Sequence, residues 1–319
     1  MKKKKEINRF QRNPKKTLAA TIILLLILGL SLFNFILSTF RGLGNPVLYY
    51  PYPLYGYRPF PNQEVTRTYG TVVKINNLSL RADGDWDNNI ENKVLFLGDS
   101  VTYGGSYIAN GKLFSCLAVE EIPGYESGNA GVNGWGIENI HGLIVNYKFL
   151  PARLYVTTLI EDDLYRGMVR LTGLPYWSRK PYCALQELLY YFLHKESQTR
   201  YVTWQSQANS TDVVRAYEQG VRKLKELDDF FKSNGYQHLI YISPYLEQVL
   251  GLQEEDPILL RLFHKYDLHP TYLLDRIKTQ NLSPDDIRSL YHDFKHLSKN
   301  GHALWGKMMG EDISELIGR

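Results

Sequence analysis

Only two of the 319 residues are cysteines, Cys116 and Cys183. That scarcity excludes a disulfide-framed small domain, and without further thiols nearby it argues against a cysteine metal site. The pair is compatible with one disulfide, which an oxidising compartment would permit, or with two separate buried thiols. Charge is missing altogether from Leu18–Leu37, LAATIILLLILGLSLFNFIL, a run about as long as a bilayer core requires. No later stretch is long and apolar enough to span again. Basic excess is also missing from everything after the N-terminus. Eight lysines and arginines against Glu6 alone give residues 1–16 a charge of +7; the whole chain carries +4, so the remainder carries −3. The larger part therefore has no electrostatic footprint for nucleic acid, and none is expected as a partner.

The apolar run shows no polar face, as a buried core helix would. It is longer than a signal-peptide core, and STFRGLG after it is a poor cleavage site. We therefore expect a signal-anchor helix over 17–40. The basic tail at 1–16 would stay in the cytoplasm and residues beyond 41 would lie on the other side, periplasmic or extracellular. Residues 41–69, dense in proline and tyrosine, read as a semi-rigid stalk and lead-in. From 70 to 319, short apolar strands alternate with helices, the signature of an α/β domain whose parallel sheet is covered on both faces. Residues 167–210 read as an insertion or lid. Asn77, Asn209 and Asn281 stand in glycosylation sequons.

In such sheets the reactive groups gather at the carboxyl ends of the strands. There stands VLFLGDSVTYGG (94–105), where an apolar strand runs into Gly98-Asp99-Ser100. Ser100 either caps the following helix or is presented by the turn as a nucleophile. A nucleophile needs a base and an acid to orient it, and YHDFKHLSKNGH near the C-terminus offers Asp293 and His296, three apart. NAGVNGWG (129–136) and EDD (161–163) fall at other predicted strand ends. His292 and His302 lack an acid three residues before them, and His264 and His269 read as surface residues. No metal-ligand spacing and no cofactor motif is present.

GDSVTYGG, NAGVNGWG and DFKHLSKNGH, in this order, resemble the three blocks of the SGNH, or GDSL-type, hydrolases, over roughly residues 70 to 319. The resemblance implies a flavodoxin-like three-layer α/β/α sandwich and acyl-ester chemistry without a cofactor. It implies Ser100 as nucleophile, His296 as general base and Asp293 as its orienting acid. The backbone N–H groups of Ser100 and Gly131 would hold the oxyanion, and Asp99 would hold the turn. One block departs from the pattern. The family places an asparagine donor where this chain has Asp162, and an ionised carboxylate donates no hydrogen bond. Three readings stay open: Asp162 is protonated, the amide of Asn129 or Asn133 replaces it, or the site is weakened. The expected function is a membrane-anchored serine esterase acting on acyl esters, O-acetyl groups foremost, of a cell-envelope glycan or lipid. The alternatives are an O-acyltransferase within an envelope polysaccharide machinery, or a glycan-binding scaffold.

Overall fold

The computed structural model describes residues 12–171, 177–193 and 210–318. Most of the basic tail, Asn209 and parts of the expected 167–210 insertion lie outside the described residues. The first helix, α1 (Pro14–Arg41), is long and apolar enough to cross a membrane, and only Leu37 in it is buried. Lysines at one end and Arg41 at the other bracket its uncharged stretch.

Residues 41–69 are not a free stalk. They fold into the hairpin β1 (Tyr49–Tyr52) and β2 (Gly56–Pro59), and into β3 (Gln63–Thr66), which pairs with β4 (Val72–Ile75). Val47, Tyr49, Tyr55, Tyr57 and Val65 are buried in the main core. The tyrosines make the difference: their rings are large enough to bury substantial apolar area. Tyr52 stacks on Tyr55, and Tyr57 packs edge-on against Trp135 while its hydroxyl donates to the Asn133 carbonyl at 2.5 Å. The proline content that suggests a linker here serves short edge strands.

Five parallel strands form the central sheet: β5 (Lys93–Gly98), β6 (Glu126–Asn129), β7 (Leu154–Leu159), β8 (Gln237–Ile242) and β9 (Thr271–Tyr272), in the order β6-β5-β7-β8-β9. Every residue of β5 and β7 is buried, as strands covered on both faces must be. One face packs Leu95, Leu97, Tyr155 and Leu159 against α6 (Ser210–Ser233) through Val221, Leu224, Leu227 and Phe231. The other packs Val94, Phe96, Leu154 and Val156 against α3 (Phe114–Glu120) and α11 (Lys299–Ile317) through Phe114, Trp305, Met308 and Met309. The architecture is thus the expected three-layer α/β/α sandwich. The strand order reverses between β5 and β7, and in open α/β sheets ligands bind at the carboxyl ends of the strands beside such a switch point.

Candidate active site

β5 ends at Gly98 and the chain turns at once into the one-turn helix α2 (Ser100–Tyr103). Only glycine fits at 98: a Cβ there would stand 2.1 Å from Thr102 Oγ1 and 2.5 Å from the Thr158 carbonyl oxygen. Asp99 caps α2, its Oδ1 accepting from the Val101 N–H at 2.7 Å. Beyond α2, the buried Arg81 guanidinium donates to the carbonyls of Tyr103 and Gly105 at 2.6 Å each, to that of Ile108, and to Asn110 Oδ1 at 3.0 Å. The loop behind Ser100 is therefore held by a buried cation through four hydrogen bonds. Nothing in RADGDW marked Arg81 as more than part of a polar loop.

The turn between α10 (Pro284–Ser289) and α11 brings the C-terminal block to the same edge. Asp293 Oδ1 accepts from the N–H groups of Lys295 (3.0 Å) and His296 (2.8 Å), and the His292 N–H donates to the His296 carbonyl at 2.7 Å. This turn places the acid on its own histidine: Asp293 Oδ2 lies 2.7 Å from His296 Nδ1. His296 Nε2 in turn lies 2.8 Å from Ser100 Oγ, across 196 residues of chain. Burial opposes ionisation of Asp293, but the His296 ring and the two backbone donors outweigh it and hold the carboxyl below the usual range. A carboxylate at Nδ1 favours the tautomer that leaves Nε2 free to accept. Ser100 Oγ has a second acceptor, Asp99 Oδ2, at 3.2 Å. One hydroxyl proton serves one acceptor at a time, and the ring nitrogen is the nearer.

The side expected to hold an oxyanion is arranged differently. The Ser100 N–H, at the start of α2, meets no acceptor among the described residues. Gly131 packs directly on α2, where a Cβ would lie 2.5 Å from the Tyr103 nitrogen. Its N–H, however, already donates to Asn129 Oδ1 at 2.9 Å. Asn129, one of the two amides expected to stand in at the oxyanion position, is already engaged. It is buried and its amide is spent on the Thr102 carbonyl (2.5 Å) and Ser115 Oγ (3.0 Å). Asn133 is half-buried, and its side chain makes no hydrogen bond to a described residue, so its amide is the one uncommitted donor of the two.

Asp162 is the second residue of α5 (Glu161–Tyr165), which follows β7. Its carboxylate accepts from the Tyr165 hydroxyl at 2.6 Å and lies 3.8 Å from both Arg166 Nη2 and Lys295 Nζ. Two cations and a phenol donor thus surround this carboxyl group. Lys295 and Arg166, both in the segments that carry the expected site residues, are what sequence reasoning missed. Asp163, beside it, is fully buried; burial first, then the charge of Asp99, raise it well above the ordinary carboxyl range against the pull of Arg166, 3.1 Å away. Exposed Phe294 lies over Tyr245, two residues from His296, and Tyr107 stacks on His292.

The other histidines stand apart. His264 and His269 are exposed. His302 is buried against Phe114, accepting the Phe114 N–H at 3.1 Å; burial, with the charge of Arg81, lowers it to about 3. Both cysteines are free thiols. Among the described residues no group of three or more His, Cys, Asp or Glu is placed to hold a metal ion.

Neither a family sequence model nor a curated protein sequence matches the chain. Solved structures do. One is a lipolytic protein of the G-D-S-L family from Desulfitobacterium hafniense, at 12% identity over 69% of this chain and 98% of that one, with a TM-score of 0.42. Another is a lipase/acylhydrolase from Enterococcus faecalis, at 16% identity over 70% and 96%, TM-score 0.41. A third is an acetylxylan esterase from Geobacillus stearothermophilus, at 15% identity over 73% and 96%, TM-score 0.39. All three likenesses are at low identity, 12–16%, with TM-scores of 0.39–0.42.

Proposed function

We propose that the protein is a serine hydrolase of acyl esters, anchored in a membrane by α1 with its α/β domain on the far side from the basic tail. The observation that supports the chemistry is the continuous relay from Ser100 Oγ to His296 Nε2 (2.8 Å) and from His296 Nδ1 to Asp293 (2.7 Å). In this reading Nε2 takes the hydroxyl proton as Oγ bonds to the ester carbonyl carbon. The tetrahedral intermediate then collapses, the alcohol leaves with the proton from Nε2, and the acyl group stays on Ser100. Water, deprotonated by the same nitrogen, repeats the attack and releases the acid. Asp293 keeps its charge throughout and stabilises the imidazolium.

The developing oxyanion meets the Ser100 N–H at the start of α2, where the helix terminus favours negative charge. Losing one donor from such a hole costs roughly 2.7–4 kcal/mol, so Asp162 makes this a slower enzyme than one with an amide there. Lys295, beside both Asp162 and the base, offsets part of the repulsion. The substrate class we favour is an O-acetyl ester of a cell-envelope glycan or lipid, because the anchor would hold the site at the membrane and Phe294 offers a ring face beside the base. A second reading, a weakened glycan-binding scaffold, is favoured by Asp162 and by the committed amides of Gly131 and Asn129.

A chromogenic acetyl ester given to the full chain and to Ser100→Ala tests this. Turnover by the wild type alone supports the hydrolase; equal rates support the scaffold. Adding a glycan acceptor separates hydrolysis from acyl transfer: acetylated glycan at the expense of free acetate would mark an O-acyltransferase.

A further inference from the structure

The helical stretch at 184–193, ALQELLYYFL, has no charged residue on its outer side. Its one charge, Glu187, is completely buried and points inward. Leu189, Phe192 and Leu193, at the spacing of one helical face, are 53, 65 and 77% exposed. A monomer in water has little reason to present such a face.

Its position relative to α1 explains it. The Leu185 N–H donates to the Asn34 side chain at 3.1 Å. Asn34 lies within the uncharged run of α1, about 10 Å along the helix axis from Arg41. A polar side chain at that depth needs a protein partner, and the domain itself supplies one. Nor does the domain hang loosely from α1. Arg67 and Glu187 form a buried ion pair at 2.7 Å; Arg67 also donates to the Gly42 carbonyl (2.6 Å), and Glu187 accepts the Gly44 N–H (2.6 Å). Thr68 Oγ1 reaches the Arg41 carbonyl at 3.4 Å. The end of α1 and the start of helix 184–193 are thereby locked at one level.

Resting on the reading that α1 spans a membrane, we propose that the outer face of helix 184–193 lies in the boundary of that same bilayer, with Leu189, Phe192 and Leu193 among the lipid chains. The domain then sits on the membrane at two points, a span and an interfacial helix, and its orientation to the surface is fixed. An amphipathic helix in this position adds apolar burial to the anchor and keeps the site next to substrates carried in or on that leaflet.

The test uses the full chain in phosphatidylcholine nanodiscs, with Cys116 and Cys183 changed to Ser. An environment-sensitive fluorophore is placed in turn at Phe192→Cys, at Leu25→Cys in mid-span, and at Asp285→Cys as the water-exposed reference. We expect the label at 192 to emit to the blue of that at 285, to be quenched by lipids spin-labelled near the headgroup, and to be shielded from iodide. A label at 192 that iodide quenches as freely as that at 285, while the label at 25 is quenched by deep spin-labelled lipid, overturns the inference and leaves the anchor standing. Shielding of 192 from both lipid and iodide overturns it in favour of a second protein surface. If the label at 25 is itself open to iodide, the spanning reading fails and this inference with it.

Discussion

The two halves of the candidate site differ in how their groups are engaged. On the side of Ser100, His296 and Asp293, each polar group faces the next, and the one free end of the relay is the Ser100 hydroxyl. On the oxyanion side, Gly131 and Asn129 satisfy each other and the α2 backbone, and Asp162 is tied to Tyr165, Arg166 and Lys295. In the proposed mechanism the first half moves a proton. The other is built mainly to hold its own shape, leaving the Ser100 amide and the Asn133 side chain as uncommitted donors. On the proposed reading, a complete triad is not equivalent to a complete active site, because positioning a nucleophile and stabilising an oxyanion would be supplied by different elements.

The comparison is broken most severely at its first member. Ser100→Ala should lower kcat for an acetyl ester by about 10⁶-fold if the relay works as a unit, measured beside a circular dichroism spectrum that shows the fold intact. Asp293→Asn should follow with a loss of about 10⁴-fold, because the imidazole would no longer be held with Nε2 free; an unchanged rate would detach the acid from the mechanism. On the other half the sign reverses. Asp162→Asn should raise kcat by about 10²-fold, since an amide donates where a carboxylate repels; no change in kcat would place Asp162 off the oxyanion. Gly131→Ala drives a methyl into α2 and should cost about 10²-fold through displacement of Ser100, seen in kcat more than in KM.

A separate effect concerns stability. His302 is kept neutral, with a folded value of about 3 against about 6.5 in the unfolded chain. Between these values the unfolded chain binds the extra proton. The fold should therefore lose up to about 1.4 kcal/mol per pH unit as pH falls from about 6.5 toward about 3. In urea titrations His302→Phe should flatten that slope; an unaltered slope would mean that His302 does not govern it.

Legibility in the sequence followed the range of the interactions. The strand into Gly98-Asp99-Ser100 and the turn from Asp293 to His296 are local, each set by neighbours within a few residues, and their order along an α/β chain brings them to one sheet edge. The central sheet was readable for the same reason, through the continuous apolar runs of β5 and β7. What escaped depends on distant partners. Asn129 looked like a free amide, but its donors are taken by Thr102 and Ser115, 27 and 14 residues away. The segment at 41–69 looked like a linker because its prolines are visible locally, whereas the pockets that bury Tyr49, Tyr55 and Tyr57 are built by residues much later in the chain. β9 is two residues long and leaves no pattern to read.

Covalent trapping tests the central claim most directly. An alkyl fluorophosphonate reacts with a serine whose hydroxyl is activated by a base, and peptide mass spectrometry locates the adduct. The account predicts one adduct, on Ser100, absent from Ser100→Ala and formed far more slowly in His296→Ala. A wild-type protein that forms no adduct, or carries it on another serine, would contradict it.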